Sequence, residues 1–122
     1  MKRISKKWQK VIDEFAPMRM EWLSHHPRCW RCGARAVCIH EFVRGSDRHH
    51  AFRSPVCWYA ACPICNGGVL NVTSGEYLRM QLAEKLVNDP DNFDLQEIIR
   101  IRGWGPNALT LKEVVEYVVV QF

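Results

Sequence analysis

Six cysteines stand in this chain of 122 residues, and four of them fall into two C-x-x-C pairs. Cys29 and Cys32 bracket Trp30 and Arg31, while Cys62 and Cys65 bracket Pro63 and Ile64. A two-residue gap lets the backbone curl until two thiolates face one ion. Two such pairs complete the closed tetrahedron of a structural zinc site. Gly33 follows the first pair and Gly67–Gly68 the second, and glycine eases turns this tight. The spacing therefore points to Cys29, Cys32, Cys62 and Cys65 as ligands of a structural Zn2+. Cys38 and Cys57 fall outside the pattern and read as small buried hydrophobes.

A second group of reactive side chains lies between the pairs, in HEFVRG at 40–45. The imidazole of His40 titrates near neutral pH and can act as a base. The carboxylate of Glu41 suits a hard divalent cation. The guanidinium fork of Arg44 matches a phosphate. Between Cys32 and Cys62 stand 29 residues (positions 33 to 61), more than a minimal zinc ribbon needs. An insertion thus hangs between the two knuckles, fixed at both ends. Zinc contributes roughly 10–16 kcal/mol of apparent stabilisation in small zinc domains. Such rigidity matters to a hydrolytic site, where misplacing a group by about 1 Å can cost about 100-fold in rate.

The elements that must position these groups are legible in outline. Residues 5–25 read as helix, with Ser5 as N-cap and Trp8, Val11, Ile12 and Phe15 at helical spacing. Pro17 is expected to interrupt it and start a second helical piece bearing Trp22 and Leu23. Residues 36–39 and 56–61 can pair as two strands around a polar, basic loop, RGSDRHHAFRS. Residues 73–122 look helical. Thr73 with Glu76, Asp94 with Glu97 and Thr110 with Glu113 have capping-box spacing. Leu78, Leu82 and Leu86, then Leu95, Ile98 and Ile99, then Leu111, Val114, Val115, Val118 and Phe122 supply apolar stripes. Asn88 to Asp91 and Gly103 to Pro106 read as breaks. The expected organisation is one α+β domain: a helical segment 1–27, a zinc-stapled core 28–72 and a helical segment 73–122.

The order C-x-x-C, a strand ending in His40–Glu41, an arginine-containing loop, a second strand, then C-x-x-C-Asn resembles the HNH (ββα-metal, or His-Me finger) endonucleases. It is most similar to the small zinc-stapled kind common in phages. The likeness runs from Cys29 to about Asn71, and the flanking helices lie outside it. It implies a ββα-metal, treble-clef-like core that hydrolyses DNA phosphodiester bonds. A histidine at the end of the first strand would take a proton from the attacking water. One Mg2+ or Mn2+ would bind the scissile phosphate. Carried over, His40 and Glu41 occupy the paired strand-end positions, Asn66 the last position of the motif, and Arg44 a phosphate contact. Two assignments stay open: His40 as base with Glu41 as ligand, or His40 as ligand with His49 or His50 as base. Cys57 stands near where the family has its middle asparagine, and Gly67–Gly68 would shorten the final helix.

Composition is consistent with this reading without requiring it. Hydrophobic content is 48%, charged content 25% and formal net charge +4, which favours a polyanionic partner such as double-stranded DNA. No apolar run approaches a membrane span, and no apolar stretch follows the basic start MKRISKKWQK. An intracellular protein is the expectation. Two further readings come from the same residues: a zinc-stapled module that grips nucleic acid without cutting, and an adaptor whose C-terminal helices meet a protein partner. Trp30, Trp58 and Trp104 could stack on bases, with buried packing the expected role.

Overall fold

A computed structural model describes residues 5–41, 48–68, 70, 75–102 and 109–121, with the backbone alone at 48–49, 75–77, 102 and 121. The chain opens with helix α1 (Lys6–Ser24), capped by Ser5, whose hydroxyl accepts the Trp8 N–H at 3.1 Å. Contrary to the sequence expectation, Pro17 lies inside one continuous helix. It lacks the N–H that would bond the Asp13 carbonyl. Burial of Val11 before it and Trp22 after it keeps both halves on one apolar face. The helix stops at His25, as expected.

Strands β1 (Cys38–Glu41) and β2 (Trp58–Ala61) form a two-stranded antiparallel ribbon, Cys38 opposite Ala61 and His40 opposite Tyr59. The basic stretch between them is not all loop: Arg48–Arg53 forms a short helix, α2. It is held by packing, not by propensity. Ala51 is fully buried, Phe52 meets Trp8 edge to face at 5.1 Å, and Arg19 donates to the Phe52 carbonyl at 2.9 Å. A turn at Pro55–Cys57 then leads into β2.

Helix α3 (Pro63–Gly67) is a single short turn, followed by α4 (Gly75–Asn88), α5 (Leu95–Arg102) and α6 (Leu111–Gln121). Two of the three expected capping pairs close. Asp94 accepts the Glu97 N–H at 3.1 Å, and Thr110 accepts the Glu113 N–H at 3.2 Å while Glu113 reaches back. The Thr73–Glu76 pair, the break at 103–106, Trp104 and Phe122 lie outside the described residues. The stripe expected on α6 is only partly core. Val114 is fully buried, whereas Leu111 and Val115 stay exposed; among the described residues, α6 packs chiefly along α4. Among the described residues, no helix is long and apolar enough to cross a membrane.

The core gathers around β2, all four residues of which are buried. Trp22 from α1 meets Trp58 at 5.6 Å and Trp30 at 5.7 Å, both edge to face, and Trp30 meets Tyr59 at 4.9 Å. The expectation that Trp30 and Trp58 pack inside is met. Cys57 is fully buried, where burial pushes its thiol up to about 12. Cys38 is only half-buried.

Candidate metal centre and the His40 site

The two cysteine pairs are built differently. The first sits in a tight loop closed by an isolated bridge between Arg28 and Arg35. The Cys29 N–H donates to the Ala34 carbonyl at 2.7 Å, and the Gly33 N–H to the Cys29 carbonyl at 2.9 Å. Gly33 has φ of +80°, a left-handed conformation that side chains resist, so the glycine here is a backbone requirement. The second pair sits at the start of α3. Cys62 is its N-cap, and Pro63, lacking an N–H, fits the first helical turn. The Cys65 N–H points at Cys62 Sγ, at 3.4 Å. That amide pulls the Cys62 thiol down to about 7, which makes a thiolate available near neutral pH.

All four sulfurs lie within 4.8 Å of one another, and Cys32 Sγ is 3.5 Å from Cys62 Sγ. With Zn–S bonds of about 2.3 Å, a regular tetrahedron has sulfurs about 3.8 Å apart. The cluster therefore fits one zinc-sized ion with little adjustment. All six cysteines are free thiols. The set is closed: four soft ligands occupy the four positions of a tetrahedral ion, which is the arrangement of a structural centre. A metal such as zinc can be held here.

His40 and Asn66 are brought together. His40 is buried on β1, and its Nδ1–H donates to Asn66 Oδ1 at 3.1 Å. An amide oxygen can only accept, so this bond selects the tautomer with the lone pair on Nε2. The ring also meets Tyr59, its cross-strand partner, edge to face at 6.1 Å. Asn66 directly follows Cys65, so the metal knuckle sets the position of the amide that orients the imidazole.

Glu41 does not join them. Successive strand residues face opposite sides, and Glu41 approaches Arg19 of α1 at 3.6 Å. That guanidinium lies over the Phe52 ring at 3.9 Å. Burial lowers the Arg19 pKa, and Glu41 opposes the shift. Arg44 lies outside the described residues, and of His49 only the backbone, on α2, is described. His50 instead turns to α5, with Nε2 3.1 Å from Glu97 Oε1. Among the described residues, the four cysteines are the one set of three or more His, Cys, Asp or Glu whose ligand atoms converge. A hard-oxygen set for Mg2+ or Mn2+ is thus not assembled around His40 by those residues.

Sequence reasoning passed over a second polar centre. Lys85 of α4 is fully buried, donating to the Pro55 carbonyl and to Asp89 Oδ2, each at 2.7 Å. Asp89 also accepts from Trp22 Nε1 at 2.9 Å and from Asn92. Burial pushes the Asp89 carboxyl up, but Lys85, Trp22 and Asn92 outweigh it and hold the group below its usual range. The i,i+4 spacing of Lys85 and Asp89 was the one available signal. It is indistinguishable from that of an exposed pair.

Comparison with known proteins finds no matching family model, and no significant match among curated proteins or solved structures.

Proposed function

We propose that this chain is a zinc-stapled nuclease of the HNH kind, cutting DNA at a centre organised by His40 and Asn66. The observation that carries the reading is the 3.1 Å bond from His40 Nδ1 to Asn66 Oδ1. It ties a strand-end imidazole to the residue after the second C-x-x-C. In the tautomer it selects, Nε2 carries the lone pair and is the nitrogen that would take a proton from water. Two knuckles, a two-stranded ribbon and a short helix follow one another in the order that a ββα-metal core requires. Arg44 would meet the phosphate through its guanidinium, and double-stranded DNA would be the substrate.

The test is nicking of supercoiled plasmid by the zinc-loaded protein, with Mg2+, Mn2+ and no added divalent ion as separate arms. His40→Ala should reduce nicking by about 100-fold or more while zinc content and the cooperative melt persist. Asn66→Ala should reduce it less and move the pH profile, because the tautomer is then no longer selected. Tight DNA binding with no cleavage in any arm would overturn the reading.

One observation favours a second reading, a zinc-stapled module that binds nucleic acid without cutting it. His40 is buried and Glu41 is turned to Arg19. Binding would then weaken steeply with salt, as neutralised phosphates release counterions. Arg44→Ala and Arg48→Ala would lower affinity, and His40→Ala would leave it unchanged.

A further inference from the structure

The two residues that space the first cysteine pair each hold a buried charge on α4. Trp30 packs its ring near Lys85, whose ammonium lies 5.6 Å from the ring centre. Arg31 brings Nε to 3.6 Å from Glu84 Oε2 and reaches the Met80 sulfur as well. Glu84 and Lys85 are consecutive, and both are buried, at 2% and 0% exposure. Glu84 further accepts the Tyr59 hydroxyl at 2.8 Å. Burial raises the Glu84 carboxyl, with Tyr59 and Arg31 opposing. Helix α4 in turn carries α6, through Val114 and through the Arg79–Glu113 pair at 3.1 Å.

We propose that Arg31 and Trp30 couple the metal centre to the helical tail, so that the ion on the four cysteines governs the docking of α4 and, with it, α6. Gly33 and backbone hydrogen bonds shape the first C-x-x-C loop, an ion on its sulfurs would lock that shape, and the shape fixes where its two spacer side chains point. Without the ion the four sulfurs lose their common partner, and the first loop is left to its backbone hydrogen bonds and the Arg28–Arg35 bridge. Arg31 then leaves Glu84, and Trp30 leaves the face of Lys85. A buried carboxylate without its counter-charge is strongly destabilising, more so than the intact pair is stabilising. The helix carrying both charges has reason to leave the core. This inference rests on the geometry of the cysteine cluster and α4, and stands independently of the nuclease reading.

The test uses the full zinc-loaded chain, followed by hydrogen exchange and by zinc release to a chromogenic chelator. On chelation of the wild type, amides of α4 and α6 should lose protection together with those of residues 28–36. Arg31→Ala changes no ligand, yet should weaken zinc binding by about 10-fold, the lower end of what loss of a supporting residue around a metal site costs. Glu84→Gln keeps an acceptor for Tyr59 but drops the charge opposite Arg31. It should weaken zinc binding less, and its α4 amides should exchange faster with the ion still bound. The double variant should be no worse than Arg31→Ala alone. Undiminished protection of α4 after chelation, or strictly additive losses in the double variant, would overturn the coupling. Should Arg31→Ala fail to fold, the wild type and Glu84→Gln decide the matter.

Discussion

Two polar centres organise this protein, and they are built by opposite means. At the first, four thiols from two chain segments converge within 4.8 Å, and an ion can join them. At the second, Lys85 and Asp89 sit one helical turn apart and are satisfied by the protein itself, through Trp22, Asn92 and the Pro55 carbonyl. The first links sequence-distant segments by an external agent. The second spends internal hydrogen bonds to join α1, α4 and the turn before β2. Trp30 and Arg31, the spacers of the first cysteine pair, face Lys85 and Glu84 of α4. The comparison teaches that two centres in one small core can differ in what completes them: an external ion at the cysteines, the protein's own hydrogen bonds at Lys85 and Asp89.

That difference can be broken at either end. The largest effect should come from the metal. Chelation, or Cys62→Ser, should remove on the order of 10 kcal/mol and abolish the cooperative melt, which circular dichroism would follow. A chain that still melted cooperatively without metal would make the second centre the dominant one.

Next comes Asp89→Asn, which strands Lys85 without its counter-charge in the core. Removing one partner of a buried pair costs about 3–5 kcal/mol, to be read by urea unfolding at pH 7. The pH dependence has a definite sign. The folded Asp89 carboxyl lies below its ordinary value. Its contribution is therefore complete above the unfolded-chain pKa, about 3.9. It is lost as pH falls through the lower, folded value. Wild type should lose stability over that acid range more steeply than Asp89→Asn, and parallel curves would contradict this.

Gly33→Ala sharpens the comparison at the first centre without touching a ligand. Among the described residues nothing lies within 4 Å of the added methyl, so the expected cost is backbone strain. About 1–2 kcal/mol should appear as a lower melting midpoint, with one zinc still bound per chain. The smallest effect should lie remote from both centres. Thr110→Ala removes the α6 cap, at about 1 kcal/mol, and should leave zinc affinity unchanged. A change in affinity would extend the coupling to the far end of the tail.

What could be read beforehand divides along the same line. The C-x-x-C pairs announce themselves because metal ligation demands fixed residue types at fixed spacing. Ser5, Asp94 and Thr110 announce helix starts because an orphan N–H needs a local acceptor. The charge centre was illegible because Lys85, Glu84 and Asp89 look like the solvated face of any helix. Only tertiary burial turns them inward. Asp89 reads as a turn residue, which it also is. Helix α2 lies in a stretch whose polar, basic composition suggests a loop, and its order comes from Phe52 and Ala51 meeting α1 and the core. Pro17 suggests a break by a local rule about a missing donor, and burial along both halves of α1 overrides it. Of the His40 site, the motif singled out both His40 and Asn66, while their hydrogen bond to each other comes from the fold. The turn of Glu41 towards Arg19 needed knowledge of where α1 lies.

The burial of every residue in β2 has a practical consequence for anyone altering this molecule. Its outer side is occupied too, since the Trp30 amide donates to the Ala60 carbonyl at 3.1 Å. Reporter groups, affinity handles or surface redesign have no foothold along that strand. Val37, half exposed just ahead of β1, is where a fluorophore could be attached to watch the ribbon work without disturbing it.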